Sequence, residues 1–185
     1  MRKIIAAINM TLDGFCDHTA GIADEELHNH YTELLKTGDT LLYGRITYQL
    51  MESYWPGLVE APSGNQAEDE FAVAIDAISK VVFSHTLTKV DWKTARLATQ
   101  SVRDEVLDLK QQPGGTIFVG SPSIISKLTQ LDLIDEYQLC IHPVILGSGL
   151  PLFRNIKASK NLKLIKTKPL GSGAIVHYYE PIRTK

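Results

Sequence analysis

At 185 residues and 44% hydrophobic composition, the chain has the length of one domain, residues 1–185, and enough apolar content to fill one core. Nineteen basic residues against 21 acidic ones leave a net charge of -2, without a block of like charge, which argues against nucleic acid or an anionic membrane as a partner. Cys16 and Cys140 lie far apart with no CxxC or Cys/His ligand spacing, so neither a disulfide framework nor a metal centre is expected.

The basic start Met1-Arg2-Lys3 precedes Ile4-Ile5-Ala6-Ala7-Ile8, an apolar run too short for a secretory leader, and Lys3 to Asn9 reads as a buried strand. No stretch approaches the roughly 18 apolar residues of a membrane helix, so a soluble cytoplasmic protein is expected. Ala23 to Lys36 has a helical pattern, with Leu27, Tyr31, Leu34 and Leu35 on one face and Asp24 and Glu25 at the N-terminal end, where the helix dipole favours acids. Thr40 to Tyr43 is a strand that enters a helix running through Met51. Pro56 to Gln66, with Pro56, Gly57, Pro62 and Gly64, reads as a loop. Lys80 to Ser84 and Arg96 to Ala98 are strands, and Ser101 to Lys110 is a helix closed by Pro113-Gly114-Gly115.

Thr116 to Val119 (strand), Ser121 to Leu131 (helix) and Glu136 to His142 (strand) continue the alternation expected of a mostly parallel α/β sheet with helices on both faces. The end breaks that pattern. Leu162 to Thr167 and Ile175 to Tyr179 are separated only by a turn carrying Pro169, Gly171 and Gly173, so they should form an antiparallel C-terminal hairpin in a mixed sheet.

Two strand-to-helix junctions carry chemistry, because a glycine at a helix start lets backbone N–H groups and the helix dipole face an anion. In Leu42-Tyr43-Gly44-Arg45-Ile46-Thr47, Gly44 permits close approach, Arg45 supplies fork-shaped donors and Thr47 a hydroxyl. In Val119-Gly120-Ser121-Pro122-Ser123, Gly120 sits at the turn and Pro122 suits the first helical position. Each glycine is also ordinary punctuation of a fold, but two such starts could grip one diphosphate from two sides. A G-x-G-x-x-G fingerprint after the first strand is missing, which disfavours the common dinucleotide fold.

The order Asn9-Met10-Thr11-Leu12-Asp13-Gly14, then Gly44-Arg45-Ile46-Thr47-Tyr48, then Gly120-Ser121 resembles the dihydrofolate-reductase superfamily over nearly the whole chain. The segments Leu133-Ile134-Asp135-Glu136-Tyr137 and His142-Pro143-Val144-Ile145-Leu146-Gly147-Ser148-Gly149-Leu150-Pro151-Leu152-Phe153 are similar to its riboflavin-biosynthesis branch, the RibD C-terminal-like reductases. The resemblance implies a dihydrofolate-reductase-like fold, NADPH as cofactor, hydride transfer to a small flat heterocycle such as a pterin or aminopyrimidine, and a homodimer formed through the late strands. It further implies that Gly44, Arg45, Thr47, Gly120, Ser121, Ser123 and Ile124 lie along the cofactor phosphates, that Ala7 and Gly14 lie towards the nicotinamide, and that Ser84 and His85 meet the adenosine 2'-phosphate.

On the substrate side the same likeness implies Asn9, Asp13, His28 and Trp55, with Asp13 as the substrate-orienting or proton-handling group. Asp13 before Gly14 is equally well read as a turn cap. Tyr48 and Tyr54 are candidates for an aromatic wall, Tyr48 equally for the core. His28 stands where folate reductases carry a carboxylate, and Gly120-Ser121-Pro122 stands where the riboflavin enzymes show a glutamate before paired glycines. Two alternatives follow: a true dihydrofolate reductase, which the missing acid disfavours, and a dinucleotide-binding dimeric protein that keeps the fold without the reaction.

Overall fold

The computed structural model describes residues 1–183. Its elements are β1 (Ile4–Thr11), α1 (Glu25–Leu35), β2 (Gly38–Gly44), α2 (Arg45–Glu52), α3 (Trp55–Glu60), α4 (Gln66–Ala77), β3 (Ser79–Phe83), β4 (Ala95–Leu97), α5 (Val102–Gln111), β5 (Thr116–Val119), α6 (Pro122–Gln130), β6 (Glu136–His142), β7 (Leu162–Pro169) and β8 (Ile175–Pro181). They fall into two compact units: Met1–Arg2 with Ala23–Phe118, and Lys3–Ile22 with the chain from Val119 onward.

In the first unit the strand order is β4-β3-β2-β5, with β2 parallel to β3 and β3 parallel to β4. Leu41, Leu42 and Tyr43 are buried, as a strand covered on both faces requires. Helix α1 begins at Asp24, whose side chain accepts the Leu27 N–H at 2.8 Å, and the acids Glu25 and Glu26 follow in its first turn. Glycine and proline between residues 56 and 66 suggested a loop, and the structure corrects this: Trp55–Glu60 is the short helix α3. Pro56 sits in its first turn, where a missing N–H costs nothing. Helix α4 follows, where the residue pattern suggests no element. Asn65 caps it by accepting the Glu68 N–H at 3.2 Å, and its buried Phe71, Ala72 and Ile75 lie at helical spacing; it packs against α1 and α3.

In the second unit the order is β1-β6-β8-β7. Strands β1 and β6 run parallel, pairing Ala7 with Gln138 and Thr11 with His142, and antiparallel pairing enters with β8 against β6 and β7 against β8, as the short Pro/Gly turn foretold. The Thr129 hydroxyl and Tyr137 phenol, 2.9 Å apart, join α6 to the Tyr137 face of β6. Alternation then puts Gln138, Cys140 and His142 on the other face, with Ala7, Asn9 and Thr11 beside them on β1. Among the described residues no helix is long and apolar enough to cross a membrane.

Candidate active site

In the first unit, β2 ends at buried Gly44, which is also the N-cap of α2 in an extended conformation. Arg45 opens the helix on the surface, its Nη1 3.1 Å from Gln49 Oε1, and Thr47 is half-buried. Helices α1, α4 and α5 each begin with a side-chain cap and acids in the first turn. Helix α2 has no acid there and begins with a cation instead. A positive residue at the positive end of a helix dipole is unfavourable for the helix alone and suits an anion.

At the end of the neighbouring strand β3, the Ser84 hydroxyl accepts the N–H groups of Thr86 at 3.1 Å and Leu87 at 2.9 Å, shaping a short polar turn that leaves His85 exposed. Tyr48 belongs to the core, at 1% exposure, and does not line a pocket. Its hydroxyl donates to Glu52 at 2.7 Å and accepts the N–H groups of Asp91 and Trp92, both at 3.1 Å. His28 on α1 and Trp55 on α3 come together, ring centroids 6.0 Å apart, and both contact Phe71 of α4. Burial lowers the His28 pKa, against the opposing pull of Glu68 and Asp24, so its imidazole is neutral at pH 7. Trp55 therefore sits at a helix start within an aromatic cluster, with Tyr54 half-exposed beside it at 5.0 Å.

In the second unit, Gly120 follows β5, and Ser121, buried, precedes α6 with Pro122 in the first turn. This helix too lacks an acid in its first turn. Ser123 is exposed, whereas Ile124 is a buried core residue.

Gly14 takes φ +90° in the turn after β1. Asp13 beside it accepts from the Thr11 hydroxyl at 2.6 Å, from Leu146 N–H at 3.1 Å and from Gly147 N–H at 2.7 Å. These bonds, the Thr11 hydroxyl first, hold its pKa down to about 2. At neutral pH Asp13 is an ionised acceptor and not a proton donor, and its bonds are those of a loop clamp. Gly147, at φ +81°, takes the left-handed turn that a side chain would strain.

Ala7 lies buried on β1, and Asn9 follows on the same face. Asn9 Oδ1 is 3.3 Å from His142 Nε2, and His142 Nδ1 accepts the Ile22 N–H at 3.4 Å. Opposite Ala7, the buried Gln138 Oε1 has no hydrogen-bond partner, while Nε2 donates to Glu136 at 2.7 Å. Sequence reasoning gave His142 and Gln138 no role, because their facing Asn9 and Ala7 depends on the β1/β6 register, which no local pattern announces. Among the described residues no group of three His, Cys, Asp or Glu side chains could hold a metal ion.

The RibD C-terminal domain profile matches residues 2–176. The chain belongs to the RibD C-terminal domain family. It is 35% identical over 184 residues to the Bacillus subtilis protein YyaP, an uncharacterized protein, covering 96% of this chain and 94% of that one. A Shewanella sp. PV-4 protein named for riboflavin biosynthesis shares the fold at TM-score 0.75 and 20% identity, with 99% and 100% of the two chains covered. The Thermotoga maritima deaminase/5-amino-6-(5-phosphoribosylamino)uracil reductase aligns at TM-score 0.68 and 17% identity, over 98% of this chain and 57% of its own. Dihydrofolate reductase from Enterococcus faecalis, complexed with NADP(H), aligns at TM-score 0.62 and 14% identity over 97% and 96%. This RibD C-terminal domain thus has the α/β fold of dihydrofolate reductase, a reductase-type fold with a mostly parallel sheet and an antiparallel C-terminal hairpin.

Proposed function

We propose that the protein is an NADPH-dependent oxidoreductase that transfers a hydride to a small flat heterocycle of pterin or aminopyrimidine type. The observation that carries this reading is the start of α2, where buried Gly44 and the cation Arg45 replace the caps and acids of α1, α4 and α5. Family membership supports it. In the first unit Gly44, Arg45 and Thr47 would hold cofactor phosphates, and in the second unit Gly120, Ser121, Ser123 and Ile124 are proposed as cofactor contacts. The Ser84 turn and His85 would meet the 2'-phosphate, and Ala7 and Gly14 would flank the nicotinamide. The bound cofactor supplies the hydride.

In the second unit the substrate would be oriented by Asn9, whose carboxamide faces His142, and the aromatic pair His28 and Trp55 is proposed as a substrate contact of the first unit. Asp13 acts as a positioning residue: ionised, it fixes the Thr11–Gly14 turn against Leu146 and Gly147. The homodimer we propose would form along the late strands, since β7 is an edge strand that exposes Leu164 and Ile165. A cytoplasmic location goes with this reading, as neither Cys16 nor Cys140 forms a disulfide.

The test is a fluorescence titration of the purified protein with NADPH and NADH, followed by turnover assays on a panel of pterins and aminopyrimidines. NADPH should bind in the micromolar range and more tightly than NADH, and Arg45→Ala should weaken it by about tenfold, the loss of one charge-assisted contact. Undiminished binding by that variant would remove the phosphate role of Arg45. Binding without turnover of any heterocycle would instead favour a non-catalytic dinucleotide-binding protein.

A further inference from the structure

A cavity of about 430 Å³ opens in the first unit at the entering ends of β2, β3 and β4. Thr40 and Lys80 line it, whereas the Gly44 turn and Ser84 lie at the opposite strand ends, about 13 Å further along β2 at 3.3 Å per residue. The cavity wall holds four cationic side chains, Arg2, Lys80, Lys93 and Arg96, and no carboxylate.

Arg2 is the informative member. It is 8% exposed, and its guanidinium is fixed on several sides. Nε donates to Gly115 O at 2.8 Å, and Nη2 donates to Thr40 Oγ1 at 2.9 Å and pairs with Asp39. Gly114 lies so close that a Cβ there would come within 3.0 Å of the guanidinium carbon. The remaining nitrogen, Nη1, has no hydrogen-bond partner among the described residues. Lys93, exposed at the same cavity, likewise has none, nor does the Ser79 hydroxyl. Lys80 is spent internally on Ile78 O at 2.8 Å and Thr94 Oγ1 at 2.7 Å, and Arg96 on Glu105 at 2.5 Å, so neither is free for direct contact with a ligand.

A guanidinium already fixed by its neighbours has lost the entropy of ordering before a ligand arrives, and its remaining nitrogen, open to solvent, can take up an incoming acceptor at little further cost. A phosphate offers several acceptor oxygens and the charge to match a guanidinium and an ammonium together. The volume is that of a small-molecule site and exceeds what one inorganic ion fills. We propose that this cavity binds a small phosphomonoester, its phosphate held by Arg2 Nη1, Lys93 and Ser79. The proposal stands independently of the oxidoreductase reading.

The experiment titrates the full chain with glycerol 3-phosphate, inorganic phosphate and glycerol, following the indole N–H signal of Trp92 in nitrogen-15 correlation spectra. The Trp92 ring lies 3.9 Å from Lys80 Nζ, and Trp55→Phe assigns which of the two indole signals is which. Saturable shifts are expected with glycerol 3-phosphate and, more weakly, with inorganic phosphate, but not with glycerol. The exposed Lys93→Glu should weaken both by roughly tenfold while leaving the rest of the spectrum in place. No saturable Trp92 shift, or equal affinity in Lys93→Glu, overturns the proposal. So does binding that is lost in Arg45→Ala and retained in Lys93→Glu, which would put the anion at the Gly44 turn.

Discussion

The Asp13 carboxylate accepts the Gly147 N–H at 2.7 Å and so ties the turn after β1 to the loop after β6. The two residues are 134 positions apart in the chain. Because three donors converge on an exposed carboxylate, the clamp depends on its charge, and its titration belongs to acid pH.

Asp13→Asn should keep the fold and loosen the clamp. An amide offers one accepting oxygen where the carboxylate offers two, so amide exchange at Leu146 and Gly147 should become several-fold faster. In the parent protein the folded pKa of about 2 lies below the ordinary aspartate value of 3.8. The clamp is therefore fully formed above pH 4 and is lost as pH falls towards 2. An acid titration of the Gly147 amide signal checks both the direction and the window; a midpoint near 4 would show that the bonds do not stabilise the charged form.

Lys80 makes the opposite kind of pH prediction. Burial lowers its pKa to about 7, against the attraction of Asp76. An unfolded lysine titrates near 10.4, so between about pH 7 and pH 10 the unfolded chain binds more protons, and stability should rise with pH. The rise should be about 1 kcal/mol from pH 7 to pH 9, below the full linkage value because the cavity admits solvent. Urea unfolding at the two pH values measures it. Lys80→Met should abolish this component of the slope.

Tyr48→Phe removes one hydroxyl that serves three partners, Glu52 and the N–H groups of Asp91 and Trp92. The Trp92 bond is buried, and leaving that N–H unsatisfied should cost about 1–2 kcal/mol in chemical denaturation. Glu52→Gln retains an acceptor and should cost much less. Equal losses in the two variants would mean that the Glu52 contact, and not the loop anchor, carries the stability.

His142 should be the Nε2–H tautomer. Its Nδ1 accepts the Ile22 N–H at 3.4 Å, which leaves the proton on Nε2, facing Asn9 Oδ1 at 3.3 Å. Nitrogen-15 spectra of the histidine ring distinguish a bare Nδ1 from a bare Nε2. The reverse tautomer would mean that Asn9 presents its amide nitrogen to the ring and would reverse the carboxamide orientation used in the substrate proposal.

Most elements were legible because they rest on local physics. Strands Thr116–Val119 and Glu136–His142 stand where the alternation of residues puts them, and Asp24 starts α1 by the capping rule. Helix α3 was not legible, because Pro56 and Gly57 punctuate the chain and a six-residue helix owes its existence to packing of Trp55 on Phe71, 4.6 Å between centroids. The same limit governs the candidate site. The turns at Gly44 and Gly120 are visible as residue strings, but Leu146, which donates to Asp13, and His142, which faces Asn9, each lie 133 residues away.

The sequence by itself determined the alternation of strands and helices, the antiparallel C-terminal hairpin, and the positions of the glycine turns, since each follows from side-chain periodicity and backbone preference within a few residues. Tertiary structure alone decided that Asp13 is a charged clamp, that Tyr48 anchors a loop and that Arg2 is held with one nitrogen to spare. The reason is physical: hydrogen bonding and desolvation depend on which groups the folded chain brings within about 3 Å, and distance along the sequence does not encode that.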